Sequence, residues 1–279
     1  MQMNGSIGPD IFACCEVEND RCLIALKEAI NDRLNKQGDA NKKYEHVLFV
    51  GDNSGRDFAP GILTRLPATA DRTHKFAKHP NGRNVEGHIV VNGHELIVLT
   101  AHWTSRVDRG KNETGEPANA SRRMSYAKDC YGRLNAILRE KAEADVVLCG
   151  DFNDTFDDPS IRDGLHATNN LEECRNALES RPFTLFADWN SGNSPPGSIY
   201  YKGWSVFDHI CVTRGLLDNK GWSCDPNSAA IFATKEMRKS GKRSNGEPLR
   251  FGDAKTLERG YADHFPVTVR ISVEGNEGN

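Results

Sequence analysis

Residues 146–154 read VVLCGDFND. Val146, Val147, Leu148 and Cys149 form a short apolar run, and two of the four are β-branched. Such a run, closed by a turn signal, reads as a strand buried on both faces. Gly150 then hands over to Asp151, Phe152, Asn153 and Asp154, so carboxylate and amide groups collect where a rigid strand opens to solvent. That position suits catalysis, because the scaffold holds the side chain while substrate can still reach it. Taken alone, an aspartate after a strand is more often a turn or cap residue.

The same pattern recurs along the chain. FACCEVEN carries Glu16, LIVLTAHW carries His102, GWSVFDHI carries Asp208, and GYADHFPV carries Asp263 and His264. A lone histidine beside aromatic residues is more often structural, but the repetition of polar strand ends is harder to assign to packing. Their chemistry is also coherent. Glu16, Asp151 and Asp263 supply the hard oxygen ligands that a magnesium-type cation prefers, and soft ligands are too few for zinc. Asn153 lies two residues from Asp151, on the same side of an extended chain, and adds hydrogen bonds without charge. His102 and His264 can donate to a phosphate or exchange a proton near neutral pH. Asp208 can orient one of them, as a carboxylate does in an Asp–His pair. Carboxylates, imidazoles and a divalent ion that acidifies bound water make a set suited to hydrolysing phosphate esters.

Working outward, residues 10–17 read as a strand. The spacing of Leu23, Leu26, Ile30 and Leu34 predicts a helix over 20–37, capped by Asn19 or Asp20. Strands follow at 44–50 and 61–66. VEGHIVV and HELIVLTAHW form a hairpin around Asn92-Gly93, and its second arm is expected to be buried on both faces. A polar loop covers 105–118, a helix 119–143, and short helices and loops 154–198. VFDHICVT and PVTVRISV are strands, with a polar insertion at 235–260 between them. No repeat or linker divides the chain, so one domain of 279 residues is expected, its core at about 9–272. Strands with few helices point to an α+β fold with mixed sheets.

The formal charge of −3, from 36 basic and 39 acidic residues, argues against a generally basic nucleic-acid-binding protein but permits a local basic groove. No apolar run approaches the roughly 20 residues that cross a bilayer. MQMNGSIGPDIFACCEVEND lacks the basic-then-apolar order of a signal peptide, so no membrane association and a cytoplasmic location are expected. The eight cysteines show no CxxC or zinc spacing. Cys14, Cys149 and Cys211 lie in apolar runs, which favours free thiols; Cys174 and Cys224 are the pair to check for a bridge.

Taken in order, PDIFACCEVEN, TAHWTSR, CGDFND, VFDHICV and YADHFPV resemble the endonuclease/exonuclease/phosphatase superfamily, the DNase-like metal-dependent phosphodiesterases. The resemblance implies a four-layered α/β/β/α sandwich of two packed mixed β-sheets and a Mg²⁺ (or Mn²⁺) cofactor. It implies that Glu16 ligates the metal and that His102 contacts the scissile phosphate. It further implies that Asp151 handles the nucleophilic water, that Asn153 orients phosphate, and that Asp208 pairs with His264 in the closing Asp263-His264 motif. Family members open with a strand ending in asparagine upstream of that glutamate. Glu16 comes too early for it, so this N-terminal strand is expected to be missing, with Asn4 as a remnant or substitute. Cys15 stands where many relatives have glutamine.

A nucleic acid is the leading substrate reading. Arg106, Arg109, Arg122 and Arg123 could hold phosphates, as could Lys235, Arg238, Lys239, Lys242, Arg243 and Arg250 in the insertion. Trp103, Tyr201 or Trp204 could stack on bases. The bland alternatives are a solvated loop and a core tryptophan. A phospholipid or small phosphate ester would use the same chemistry, but no exposed membrane-facing segment is evident. A third reading, a non-catalytic binding module of the same fold, predicts folding without turnover.

Overall fold

A computed structural model describes residues 8–51, 59–76, 84–107, 118–190, 192–241, 244–251 and 260–275. Asn4, Arg109, Lys242, Arg243 and most of the loop expected at 105–118 lie outside these residues. The chain begins with β1 (Ile11–Val17), α1 (Asp20–Gln37), β2 (His46–Phe49) and β3 (Ala59–Thr64). There follow β4 (Asn84–Val91), β5 (His94–His102), α2 (Ala118–Glu140) and β6 (Asp145–Asp151). After α3 (Leu171–Asn176) come β7 (Phe183–Thr184), β8 (Ile199–Tyr200), β9 (Trp204–Ser205) and β10 (Asp208–Val212). The last elements are β11 (Trp222–Ile231) and β12 (Val267–Val273).

The strands pair in the orders β1-β3-β2 and β4-β5-β6-β10-β7, with β11-β12 and β8-β9 as separate pairs. Three apolar clusters define the layers. Leu48 and Ile62 from the first sheet meet Leu96, Val98, Val147, Ile210 and Val212 from the second, with Trp222 and Ile231 of β11 closing the interface. The alternate residues Ile97, Leu99, Val146 and Leu148 face Tyr126, Cys130, Leu134 and Ile137 of α2. Val17, Tyr44 and Leu63 receive Leu23 of α1. The result is α1, sheet, sheet, α2: the four-layered sandwich expected from the sequence. β5 and β6 touch apolar partners on both faces, which explains why neither shows a clean polar alternation.

Local signals match the elements they mark. Asn19 caps α1 by accepting the Cys22 N–H, and Gly38 closes it in the left-handed conformation. Leu26, expected in the apolar stripe, is instead 40% exposed. It lies about 60° off the line through Leu23, Ile30 and Leu34 at 3.6 residues per turn. Asn92 (φ 52°) and Gly93 (φ 82°) make the tight turn between β4 and β5. β11 is a strand that sequence reading missed, because Asp225-Pro226-Asn227 looks like a turn. It is a bulge: the β11–β12 ladder breaks between Asp225 and Ala230, where Asp225 accepts the Asn227 N–H.

Two buried carboxylates tie the layers together. Glu86 on β4 is wholly buried and accepts two 2.6 Å hydrogen bonds from Arg133 of α2 and one of 2.9 Å from His88. Burial alone would raise the Glu86 carboxyl, but these partners outweigh it and bring it down to about 2. Asp145, at the start of β6, has one weak anchor, the Trp222 N–H at 3.3 Å. Here burial prevails and lifts the carboxyl to about 6. A carboxyl raised on folding stabilises the fold at low pH and loses that contribution as pH climbs through its folded value. Asp145→Asn is therefore expected to gain about 1–3 kcal/mol at pH 8 and almost nothing at pH 4. Guanidinium unfolding at the two pH values measures this.

All eight cysteines are free thiols, Cys174 and Cys224 included. Among the described residues no helix is long and apolar enough to cross a membrane.

Candidate active site

Strand register assembles the site. His102 pairs with Asp151 across the parallel β5–β6 ladder, and Asp151 pairs with Asp208 across the antiparallel β6–β10 ladder. Directly opposed residues project on the same face, so three strands place these side chains in one row. Gly150 precedes the row at φ 135°, and a Cβ there would run into the Ala101 carbonyl. Glycine is required because β6 passes too close to β5 for a side chain.

Asp151, 9% exposed, is held from both sides. Asn153 donates its backbone N–H to Oδ1 at 2.8 Å and its amide Nδ2 to Oδ2 at 2.9 Å. The second amide hydrogen goes to the Trp103 carbonyl at 3.0 Å. Asn153, expected to orient phosphate, thus spends its donors on fixing Asp151. It does so from a left-handed backbone, φ 54°. Glu16 is likewise left-handed (φ 58°) and lies where the β1–β3 register slips between Cys14 and Val17. The bulge turns its carboxylate out of the sheet, with Oε1 3.8 Å from His102 Nε2. That same nitrogen is 3.7 Å from Asp151 Oδ2. Two non-glycine residues held at positive φ in one site mark backbone strain maintained by its surroundings.

His264 arrives from the loop before β12. Its backbone bridges Ile199 of β8, and the Phe265 N–H donates to the Ser198 carbonyl at 2.7 Å. The ring Nδ1 donates to Asp208 Oδ2 at 2.7 Å. Burial disfavours the imidazolium, but the Asp208 carboxylate, helped by Asp151 and Asp263, lifts His264 to about 10. Asp208, opposed by burial and favoured by His264, is lowered correspondingly. Asp151 behaves differently: burial and the charges of Asp208 and Glu16 push it up to about 7, against the pull of His264. Negative charge is therefore in excess at Asp151.

This excess fits a cation. Carboxylate oxygens of Asp151 and Asp208 lie within 4.8 Å of one another and of a ring nitrogen of His264, and Glu16 adds an exposed carboxylate beside His102. Oxygen donors dominate, which suits a hard divalent ion. The tight cluster is not the Glu16–Asp263 pair expected to ligate. Those two stand at its rim, Asp263 being exposed next to His264. Cys15 lies behind them, its Sγ 3.7 Å from the Ala101 carbonyl. Burial raises this thiol well above its usual range, so it is a neutral packing group.

The expected substrate contacts fare unevenly. Arg106 Nε donates to the Asn153 carbonyl at 2.9 Å and to Asp154 at 3.1 Å, and its NH2 pairs with Asp158. Its guanidinium is committed to holding the loop after β6. Arg122 is exposed on α2, bonded to Asn119 at 3.4 Å. Trp204 stacks on Phe265 at 6.1 Å and meets Tyr200 edge-on, so its ring packs beneath the site. Trp103, considered for base stacking, is fully buried against Phe152 at 4.3 Å. Reading the sequence also missed the clamp behind DFND. Asp154 is buried, forms an ion pair with Arg123 whose Nε lies 2.8 Å away, and accepts from Ser160 Oγ at 2.6 Å. The second aspartate of the motif was its one visible signal.

Comparison with known proteins gives consistent findings. A family model described as the Endonuclease/Exonuclease/phosphatase family matches residues 1–273. No curated protein matches the chain in sequence. Among solved structures, sphingomyelinase C from Streptomyces griseocarneus is similar at TM-score 0.55 and 14% identity, covering 96% of this chain and 87% of that one. The mannosyl-6-phosphatase of Bacteroides thetaiotaomicron VPI-5482 aligns at TM-score 0.54 and 16% identity, covering 94% and 85%. A humanized D. rerio TDP2 aligns at TM-score 0.51 and 13% identity, covering 95% and 86%. At these identities the likeness is one of fold.

Proposed function

The chain belongs to the endonuclease/exonuclease/phosphatase family, and from that premise we propose a divalent-cation-dependent phosphodiester hydrolase whose substrate is a nucleic acid. The observation that carries this reading is the row His102–Asp151–Asp208, with His264 hydrogen-bonded to Asp208 at 2.7 Å. A magnesium-type ion, held by Glu16 and the neighbouring carboxylates, would offset phosphate charge and acidify bound water. The protein's own groups do the rest. Asp151, locked by Asn153, presents a buried carboxylate of raised proton affinity that can accept a proton from attacking water. His264, kept as imidazolium by Asp208, can donate to a non-bridging phosphate oxygen as charge develops there. His102, buried between Glu16 and Asp151, is poised to meet a second oxygen.

Nucleic acid is preferred over other phosphate esters because exposed cations border the site. Lys202 follows β8, whose Ile199 bridges His264, and Arg250 lies beyond the hydrogen bond from Tyr261 N–H to the Leu249 carbonyl. Such residues suit a repeating phosphate backbone. A panel assay tests both parts: plasmid, single-stranded DNA, RNA, a phosphoinositide, sphingomyelin and a sugar phosphate. EDTA is expected to abolish turnover and Mg²⁺ or Mn²⁺ to restore it. Turnover that persists in chelator would remove the metal from the mechanism. Selective hydrolysis of a lipid or sugar phosphate would replace the nucleic-acid assignment.

A further inference from the structure

Three aromatic side chains of the described residues are strongly exposed, and all three fall at one edge of the site: Tyr201 (65%), Phe251 (68%) and Tyr261 (66%). Backbone hydrogen bonds connect the segments that carry them. Ile199 bridges His264, and Tyr201 follows two residues later in the β8–β9 turn, closed by its N–H to the Gly203 carbonyl. Tyr261 precedes His264 by three residues and donates its N–H to the Leu249 carbonyl, two residues before Phe251. Asn245 ties the insertion to the hairpin through the Tyr200 hydroxyl at 2.9 Å. At about 3.4 Å per residue, neither tyrosine is more than about 10 Å of chain from His264 or its bridge partner.

The turn itself is built to present Tyr201. Lys202 takes a left-handed backbone (φ 57°) next to Gly203, and its ammonium lies over the Tyr201 ring at 5.4 Å. Trp204, which follows Gly203, and Arg238 both pack on the ring of Phe265, the residue after His264. The hairpin that carries Tyr201 is thus anchored by packed neighbours, so binding would order little of it that is not already ordered. Among the described residues the rim carries aromatic rings and cations but no large exposed aliphatic group. The exposed aliphatic residues Ile24, Leu26, Val90, Val107 and Leu178 belong to other elements. A membrane-inserting edge would be expected to combine both kinds. Rings interleaved with cations instead complement a strand that alternates flat bases with phosphates.

We propose that Tyr201 and Tyr261, flanked by Lys202 and Arg250, form a stacking rim that selects unpaired nucleobases, so that the substrate is single-stranded nucleic acid or the frayed end of a duplex. A base stacked within a duplex has no free face to offer these rings. This inference rests on the hydrolase reading above for its biological sense but is tested by binding alone. The probe is a fluorescent single-stranded oligonucleotide, measured by anisotropy in EDTA so that nothing is cleaved. An oligonucleotide of equal length whose sugars carry no bases, a blunt duplex, and vesicles of anionic phospholipid are the comparisons.

Wild-type protein is expected to bind the base-bearing strand at least tenfold more tightly than the abasic strand or the duplex. Tyr201→Ala and Tyr261→Ala should each weaken the base-bearing strand about tenfold, while Tyr201→Trp retains it. Both alanine variants replace exposed rings, and unchanged thermal unfolding midpoints verify that they fold. Equal affinity for abasic and base-bearing strands overturns the proposal, as does preferential binding of the duplex. Vesicle binding that depends on the two tyrosines overturns it in favour of a lipid surface. The two readings fail separately. Base-dependent binding without turnover removes the hydrolase and keeps the rim, whereas turnover with base-independent binding does the reverse.

Discussion

His264→Ala is expected to lower metal-dependent phosphodiester turnover by about 10²–10⁴-fold, with little change in substrate affinity. The substitution removes an imidazolium and also leaves Asp208 and Asp151 facing each other across adjacent strands without their shared counter-charge. A companion variant separates charge from shape. Asp208→Asn keeps a hydrogen-bond acceptor near Nδ1 but removes the carboxylate that raises His264 to about 10. A raised imidazole keeps its proton through neutral and moderately alkaline pH, and loses it earlier once its anion is gone. The alkaline limb of the Asp208→Asn activity profile is therefore expected to move to lower pH. A kcat for His264→Ala within a few-fold of wild type would sink the assignment of the site. An unmoved alkaline limb would show that His264 does not act as a charged group.

Arg133→Met is expected to destabilise the fold by about 2–4 kcal/mol at neutral pH, although Arg133 lies on α2, away from the catalytic row. The partner it abandons, Glu86, is fully buried, and removing one member of a buried ion pair costs more than the pair contributes. The pH dependence identifies the mechanism. A carboxyl brought down from 4.5 to about 2 contributes stability that is complete above its unfolded value. That contribution fades as pH falls through the folded one. The gap between wild type and Arg133→Met should therefore narrow sharply between pH 7 and pH 3.5, where the stranded Glu86 can take a proton. Urea unfolding at both values provides the measurement. A loss of equal size at both pH values would mean that methionine packs badly there and that the ion pair is incidental.

Both variants probe features of unequal visibility in the sequence. The polar strand ends were legible one by one: Asp151 after VVLCG, His102 after LIVLTA, Asp208 and His264 in their Asp-His dipeptides. Apolar runs that stop abruptly are local facts, and so are the Asn19 cap and the Asn92-Gly93 turn. Composition and spacing are enough for those. The order of the motifs then made the four-layered sandwich readable, because each motif lies at one end of a strand of known neighbours in the family it resembles. Glu86 was not legible, since a glutamate in VEGHIVV looks the same whether it faces water or Arg133. β11 was lost for a related reason: a bulge and a turn share the same Asp-Pro-Asn chemistry, and only pairing with β12 distinguishes them.

By itself the sequence determined which residues could do chemistry and which apolar segments, β11 apart, would be the long strands, because both follow from side-chain type and short-range periodicity. Only the tertiary structure decided what each polar group is spent on. It gave Asn153 to Asp151, Arg106 to Asp154 and Asp158, and Trp204 to Phe265, and it left Tyr201 and Tyr261 facing outward. Those assignments depend on register and on backbone turned to positive φ at Glu16 and Asn153. Register is set by long-range packing of whole faces, and a donor can be committed only to the acceptor that this packing brings within reach.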